Sequence, residues 1–90
     1  MTMHLNGLTK LIEELGELTA ICAKKSAYID TDEHPDGKGS LKVRMEDEIA
    51  DVMAAISFVS QQFDLDIEKI DYRGRNKVRL YYRWHDDPNS

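Results

Sequence analysis

Hydrophobic positions recur at the three-to-four-residue spacing of amphipathic helices in three successive segments of the chain. The first segment covers about residues 5–28, and the second covers about residues 41–63, with Ser40 as its expected N-cap. The third begins at the N-cap Asp66, with Leu65 and Ile70 placed for a hydrophobic staple, and a polar tail follows from residue 85. The pattern predicts an all-α chain of about three helices.

A polar stretch with the sequence DTDEHPDGKGS, residues 30–40, separates the first two segments. Its density of Asp, Gly, Pro and Ser is typical of a loop, and it lacks the spacing and terminal glutamate of an EF-hand calcium loop. We expect a solvated connector, with a lid over the functional site as the alternative. His34 is interpreted as a turn residue rather than a ligand.

Apolar side chains form one stripe on each of the first two helices. The first stripe comprises Leu8, Leu11, Ile12, Leu15, Leu18 and Cys22. The second comprises Met45, Val52, Ile56, Val59 and Phe63. If the second helix folds back on the first, the stripes pack together in an antiparallel helical bundle. Cys22 is then expected to be a buried, inert thiol.

Each of these helices also carries two carboxylates three residues apart, Glu14 with Glu17 and Glu48 with Asp51. Side chains at this spacing share a helix face, and each pair borders its apolar stripe. Packing of the stripes would bring four carboxylates together, and their repulsion would raise their pKa values unless a cation compensated. Oxygen-only ligands suit Mg²⁺, Mn²⁺ or Ca²⁺ better than zinc. The spacing predicts a hard-metal site between the two helices.

The alternative is that these acidic residues form a solvated helix face. Such a face should lie opposite the apolar stripe, whereas both pairs border it. Glu13 points roughly 100° away from Glu14, and we interpret it as a neighbour of the ligands, a solvent-facing residue or a ligand for an additional metal ion. Gly16 lies between two candidate ligands, where close approach of another backbone would explain a glycine.

The 90 residues make one domain, residues 1–90, with a small hydrophobic core. A single cysteine excludes an intrachain disulfide, so the expected support is association into an oligomer. The chain shows no signal-peptide pattern and no apolar run near the roughly 20 residues that span a bilayer, and we expect a cytoplasmic protein with no membrane partner. The net charge of −5 argues against nucleic acid as the main partner.

Positive charge is concentrated in the third helical segment. It holds half of all Lys and Arg residues, namely Lys69, Arg73, Arg75, Lys77, Arg79 and Arg83. Near a metal–carboxylate cluster these side chains would suit a polyphosphate, and the alternative is a solvated basic face. Tyr81, Tyr82 and Trp84 would either stack on a base or close a small core or an oligomer interface.

Two motifs in the chain resemble a known family. The run KLIEELGEL at residues 10–18, followed by EDEIADV at residues 46–52, resembles the E-E-x-x-E and E-x-x-D signature of MazG-like all-α nucleoside triphosphate pyrophosphohydrolases. The similarity continues through FDLDIEKI, residues 63–70, and a basic stretch that contains Asn76. The spacer between the motifs is slightly longer than usual, and the loop accounts for the difference.

The resemblance implies a Mg²⁺-dependent hydrolysis of nucleoside or deoxynucleoside triphosphates between the α and β phosphates, with Mn²⁺ as a possible substitute. The metal ligands and catalytic residues would be Glu14, Glu17, Glu48 and Asp51. The residues that contact phosphate or sugar would be Lys10, Arg73, Asn76 and Lys77. The resemblance also implies a homodimer or a dimer of dimers with active sites near the subunit interfaces.

Two other functions stay open on the sequence. One is a phosphoribosyl-ATP pyrophosphohydrolase of histidine synthesis, which shares the helical fold and similar acidic motifs. The other is a non-catalytic helical module that binds a divalent metal or a protein partner. Such a module would retain the apolar stripes and would need no phosphate-binding residues.

Overall fold

The computed structural model of the chain describes residues 5–87 and 89. Within that part, the chain forms three helices and no strand: α1 (Gly7–Ala27), α2 (Leu41–Gln62) and α3 (Ile67–Asp86). The all-α prediction is therefore confirmed. The predicted tail from residue 85 was wrong at its start, because α3 extends through Asp86; residues 88 and 90 lie outside the described residues.

Each helix begins at a polar side chain that accepts hydrogen bonds from the first turn. Asn6 Oδ1 accepts from the backbone N–H groups of Leu8 and Thr9 at 3.0 and 3.2 Å, so α1 begins later than the pattern predicted. Ser40 Oγ caps α2, and Asp66 Oδ1 caps α3, as predicted. Side-chain oxygens at these positions satisfy backbone donors that the helix itself leaves without an acceptor.

The turn between α2 and α3 follows the Schellman pattern. The backbone N–H of Leu65 donates to the carbonyl of Ser60 at 2.9 Å, and the N–H of Asp64 donates to the carbonyl of Gln61 at 3.3 Å. Asp64 has a φ of 50°, the left-handed conformation that glycine usually supplies at this place. The two bonds satisfy carbonyls at the end of α2 and set the direction in which α3 leaves.

The first helix packs against the second along the length of both. At one end, Gln62 Oε1 accepts from the backbone N–H of Gly7 at 2.9 Å, and Gln62 Nε2 donates to the carbonyl of Leu5 at 3.1 Å. At the other end, Lys24 and Arg44 both bind one loop carboxylate. The start of α1 therefore contacts the end of α2, and the end of α1 lies near the start of α2.

The hydrophobic core is small and lies between these two helices. Its buried apolar residues are Ile21, Leu41, Val52, Ala55 and Val59. On α1, the buried positions are Gly7, Glu14 and Ile21, which are seven residues apart and share one line along the helix. A glycine and a glutamate thus occupy two of the three buried positions on α1.

This contact line corrects the predicted stripes. Leu8, Ile12 and Leu15 are exposed, and so is Cys22, which was predicted to be buried. On α2, Ile56 and Phe63 are exposed as well. The apolar residues cover an arc wider than one neighbouring helix can bury, and α1 and α2 meet at the edge of that arc rather than at its centre.

The third helix packs against neither of the others over any substantial area. Among the described residues of α3, none is buried, and its apolar residues Ile67, Ile70, Val78 and Tyr81 are exposed. The radius of gyration is 16.4 Å, against about 12 Å for a compact domain of this length. The single chain is consequently an open arrangement in which a two-helix core carries an extended third helix.

The connecting loop is held more firmly than the predicted solvated connector. Asp32 fixes the start of α2, because its carbonyl accepts from Leu41 N–H and its Oδ1 from Lys42 N–H, both at 2.8 Å. Asp36 binds Lys24 and Arg44 and is only 17% exposed. These bonds tie both ends of the loop to α1 and α2.

His34 serves the turn, as predicted. Its Nδ1 accepts from the backbone N–H of Asp36 at 3.0 Å, and its ring meets Tyr28 edge-on with centroids 4.9 Å apart. The same Nδ1 lies 3.3 Å from Asp36 Oδ2.

Two glycine substitutions test the packing of α1. A Cβ on Gly7 would lie 2.9 Å from Phe58 Cδ1, would meet Gln62 Oε1 and would disturb the hydrogen bond that Gln62 accepts. At Gly16, no heavy atom of the described residues lies within 4 Å of such a Cβ, so the expected close backbone approach is absent within the chain. We expect Gly7→Ala to destabilise by about 1–3 kcal/mol and Gly16→Ala to stabilise by about 1 kcal/mol, measured by urea unfolding. Equal losses at both sites would contradict this packing.

The loop carboxylate should make stability depend on pH. Hydrogen bonds from Arg44 and then Lys24 hold the pKa of Asp36 well below its ordinary 3.8. A carboxyl with a lowered pKa in the folded state stabilises the fold above its unfolded pKa, and this stabilisation is lost as the pH falls through the folded pKa. We expect Asp36→Asn to lower the melting temperature at pH 7, with the difference from wild type shrinking below about pH 4. A difference that stays constant down to pH 2 would contradict the role of this ion pair.

Candidate metal centre

The four predicted ligands meet on one side of the contact between α1 and α2. Glu14, Glu17, Glu48 and Asp51 each offer one carboxylate oxygen, and these oxygens lie within 4.8 Å of one another. Two residues come from each helix, at the three-residue spacing that points both side chains the same way. The sequence-based prediction that the two pairs converge is confirmed, and these four residues are called the carboxylate cluster below.

The cluster lies at the edge of the core, with Glu14 buried, Glu48 half-buried, and Glu17 and Asp51 exposed. Glu14 is 7% exposed and lies on the same line of α1 as the core residue Ile21. Asp51 directly precedes the buried Val52 on α2. The contacts that form the hydrophobic core therefore also fix the distance between the two carboxylate pairs.

Two carboxylate oxygens of the cluster are buried without a hydrogen bond. Within the described residues, Glu14 Oε2 and Glu48 Oε2 are buried and have no hydrogen-bond partner. A buried carboxylate oxygen without a partner costs free energy, because it has lost water and gained nothing in exchange. A cation between the helices would supply the missing interaction for both oxygens.

Electrostatics inside the cluster are unfavourable without a cation. The negative charges of Glu14 and Glu48 raise the pKa of Glu17 above its ordinary 4.5. Like charges at this distance disfavour ionisation of a neighbouring carboxyl. A cation between these carboxylates would relieve the repulsion.

One side chain of the chain partly compensates this charge. Lys10 Nζ lies 3.1 Å from Glu14 Oε1 and 3.5 Å from Glu13 Oε1. The hydrogen bond to Glu14 and the nearby charge of Glu13 raise the pKa of Lys10. Glu13 is exposed and lies outside the cluster. Its contact with Lys10 favours the interpretation of Glu13 as a neighbour of the ligands.

Cavities flank the carboxylate cluster on two sides. The first, of about 300 Å³, is mostly apolar and is lined by Leu5, Gly7, Lys10, Glu14, Asp51, Ala54, Ala55 and Phe58. The second, of about 250 Å³, is lined by Glu17, Ala20, Ile21, Lys24, Arg44, Asp47 and Glu48. Each cavity is open to one carboxylate of α1 and one of α2, so a ligand bound at the cluster can extend along the contact in both directions.

The structure separates the remaining predicted site residues from the cluster. Lys10 is beside it, whereas Arg73, Asn76 and Lys77 lie together along α3 and line a groove with Lys69, Tyr72 and Leu80. Since α3 packs against neither other helix over any substantial area within the described chain, these three side chains do not reach the cluster of their own chain. Their role as phosphate-binding residues stays a prediction.

Sequence reasoning missed two cations beside the cluster, Lys24 and Arg44. A usable signal was present in their spacing. Lys24 follows Glu17 by seven residues and Arg44 precedes Glu48 by four, and both spacings keep side chains on one helix face.

The donor set limits which metals fit. All four candidate ligands are carboxylates, and hard oxygen ligands of this kind suit Mg²⁺, Mn²⁺ or Ca²⁺. A divalent cation would give the buried oxygens of Glu14 and Glu48 a partner. It would also relieve the repulsion that raises the pKa of Glu17. The residues present therefore fit such an ion.

Searches against protein families, curated proteins and solved structures find no match to this chain. The resemblance to the MazG-like enzymes thus rests on the two acidic motifs and the segments that follow them. In the part of the chain that the structure describes, no helix combines the length and apolar character needed to cross a membrane.

Neutralising the carboxylate of Glu17 should change the stability of the metal-free fold and the affinity for Mg²⁺ in opposite directions. Glu14 and Glu48 repel the ionised Glu17 and raise its pKa, and this repulsion disappears as the pH falls through that raised pKa. We expect Glu17→Gln to raise the melting temperature of the metal-free protein at pH 7 and to weaken Mg²⁺ binding about tenfold or more. For wild type, Mg²⁺ at 100 times its Kd should add about 2.7 kcal/mol.

The matched control is Glu13→Gln, which neutralises an adjacent exposed carboxylate outside the cluster. Thermal melts with and without Mg²⁺, and after EDTA, give both quantities for each variant. A metal-induced shift that is the same in Glu17→Gln and Glu13→Gln would show that the cluster does not bind the ion.

Proposed function

We propose that this chain is a MazG-like enzyme that hydrolyses nucleoside or deoxynucleoside triphosphates to a monophosphate and pyrophosphate in the presence of Mg²⁺. The observation that carries the proposal is the pair of buried, unpartnered oxygens of Glu14 and Glu48 inside a cluster of four carboxylates. A purely structural acidic face would be exposed to water, and it would not place such oxygens in a core.

Divalent metal at the cluster would neutralise phosphate charge and lower the pKa of a bound water. The chain's own residues then have separable tasks. Glu14, Glu17, Glu48 and Asp51 would hold the ion, with Glu14 and Glu48 as the less exposed ligands. Glu17 or Glu13 would receive a proton from the attacking water.

The apolar cavity beside Glu14 and Asp51 suits the nucleoside part of the substrate. Phe58, Ala54 and Leu5 offer apolar surface there, and Lys10 provides a cation at the side that faces the cluster. Small-molecule sites commonly combine a mainly apolar wall with a few placed charges. Lys10 would exchange part of its contact with Glu14 for a phosphate oxygen once a metal ion neutralises that carboxylate.

Assembly completes the proposed enzyme. The α1–α2 contacts support an antiparallel pair, and the exposed apolar residues of all three helices suit burial between copies in a dimer or a dimer of dimers. Such burial would also allow Arg73, Asn76 and Lys77 of one copy to approach the cluster of another. Small domains of this kind often gain their missing core through association.

The direct test is pyrophosphate release from a panel of ribonucleoside and deoxyribonucleoside triphosphates including dUTP, with Mg²⁺, with Mn²⁺ and with EDTA. We expect metal-dependent release that Glu48→Gln reduces by about 100-fold or more, because a buried ligand affects the site at least as much as its supporting partners. Glu46→Gln, an exposed carboxylate two residues away, is the matched control and should retain activity.

Two results would redirect the assignment. Turnover of phosphoribosyl-ATP with none of the panel would indicate the histidine-synthesis enzyme. Metal binding by a folded protein without turnover of any of these substrates would indicate the non-catalytic module, and Glu48→Gln would then change metal affinity alone.

A further inference from the structure

Lys24 and Arg44 form a pair of cations at the end of the α1–α2 contact nearest the loop. They line the cavity that also contains the cluster residues Glu17 and Glu48. One helical turn separates Arg44 from Glu48, and about two turns separate Lys24 from Glu17. An anion held at the cluster can therefore reach these cations along a single cavity.

Both cations currently bind Asp36, a residue of the loop. Arg44 Nη1 donates to Asp36 Oδ1 and Arg44 Nη2 donates to Asp36 Oδ2, both at 3.1 Å. Lys24 Nζ donates to Asp36 Oδ2 at 2.9 Å. The guanidinium of Arg44 thus binds both oxygens of one carboxylate. Guanidinium groups bind two oxygens of a phosphate in the same bidentate geometry.

Lys24 and Arg44 bind the carboxylate of Asp36 and line a cavity that the carboxylates of Glu17, Asp47 and Glu48 also line. A metal ion at the cluster would neutralise Glu17 and Glu48 and would so reduce their repulsion of an anion bound by the two cations. Asp36 is followed by Gly37 and precedes Gly39, and both glycines have a positive φ with open space around them, so the loop tip is not wedged in place.

We propose that Lys24 and Arg44 are an anion subsite for the pyrophosphate portion of the substrate, and that Asp36 is an internal competitor which holds the subsite until the ligand displaces it. The identity of the anion rests on the proposed function, whereas the competition between a phosphate group and Asp36 does not. After hydrolysis, return of Asp36 to Lys24 and Arg44 assists release of pyrophosphate.

A purely structural ion pair makes a different prediction from a competed subsite. If Asp36, Lys24 and Arg44 only fasten the loop, removal of either charge loosens the same contact and changes anion binding in the same direction. If Asp36 competes with the ligand, removal of its charge strengthens anion binding while removal of Arg44 weakens it. Opposite signs therefore distinguish the two roles.

The experiment is calorimetric titration of the full chain with inorganic pyrophosphate, with Mg²⁺ and again with EDTA. We expect Arg44→Gln to weaken binding about tenfold, the effect of one charge-assisted hydrogen bond. Asp36→Asn should tighten it, and Arg44→Lys, which keeps the charge without the fork, should lie between wild type and Arg44→Gln. Circular dichroism of each variant establishes that it is folded.

Two control variants separate competition from simpler effects. Asp47→Asn removes a negative charge from the same cavity without freeing Lys24 or Arg44, and Asp32→Asn loosens the loop without changing the subsite. Tightening by Asp36→Asn that exceeds both controls supports the proposal. Equal tightening by Asp47→Asn, a change of the same sign in Asp36→Asn and Arg44→Gln, or no pyrophosphate binding by wild type overturns it.

The outcomes are independent of turnover. If Asp36→Asn tightens and Arg44→Gln weakens pyrophosphate binding, but the protein hydrolyses none of the nucleotides, the subsite is established and the proposed function is rejected. Hydrolysis with unchanged pyrophosphate affinity in Asp36→Asn and Arg44→Gln would leave the enzyme assignment standing and reject the subsite.

Discussion

Burial of the Glu14 carboxylate in the contact between α1 and α2 is the constraint on which the rest of the structure depends. The same line of α1 carries Gly7, which allows Gln62 to come close, and Ile21, which joins the core. Packing along this line brings Glu17, Glu48 and Asp51 to Glu14 at a cost in repulsion and lost hydration. The fold thus holds four charges in an arrangement that a cation would stabilise.

The sequence predicted the helices, the caps Ser40 and Asp66 and the meeting of the two carboxylate pairs, because these follow from local spacing. On α2, Val52 and Val59 of the predicted stripe are buried. On α1 the predicted face was wrong, since hydrophobicity pointed to Leu8, Ile12 and Leu15 whereas Gly7 and Glu14 are buried. Periodicity locates an apolar arc but not the edge at which a neighbour binds. The cations Lys24 and Arg44 were missed because their partner, Asp36, comes from a loop whose path periodicity does not describe.

Charge is divided between the two parts of this chain in a way that suits a phosphate-rich ligand. The α1–α2 pair carries the carboxylates, with Lys10 at one side and Lys24 with Arg44 at the other. The third helix carries a separate basic row that its own chain leaves exposed. Under the proposed function, a ligand with several negative charges and a bridging divalent cation would contact the groups of the α1–α2 pair, and α3 of another copy would have to supply the other cations.

The exposure of α3 has a consequence for how the chain behaves on dilution. A helix of 20 residues with no buried side chain depends on its intrinsic helix–coil equilibrium, which is marginal in water at this length. Its order must then increase when another surface covers Ile67, Ile70, Val78 and Tyr81. If that surface belongs to another copy, as proposed, helix content becomes a function of protein concentration, and folding of the third helix and self-association become a single coupled equilibrium.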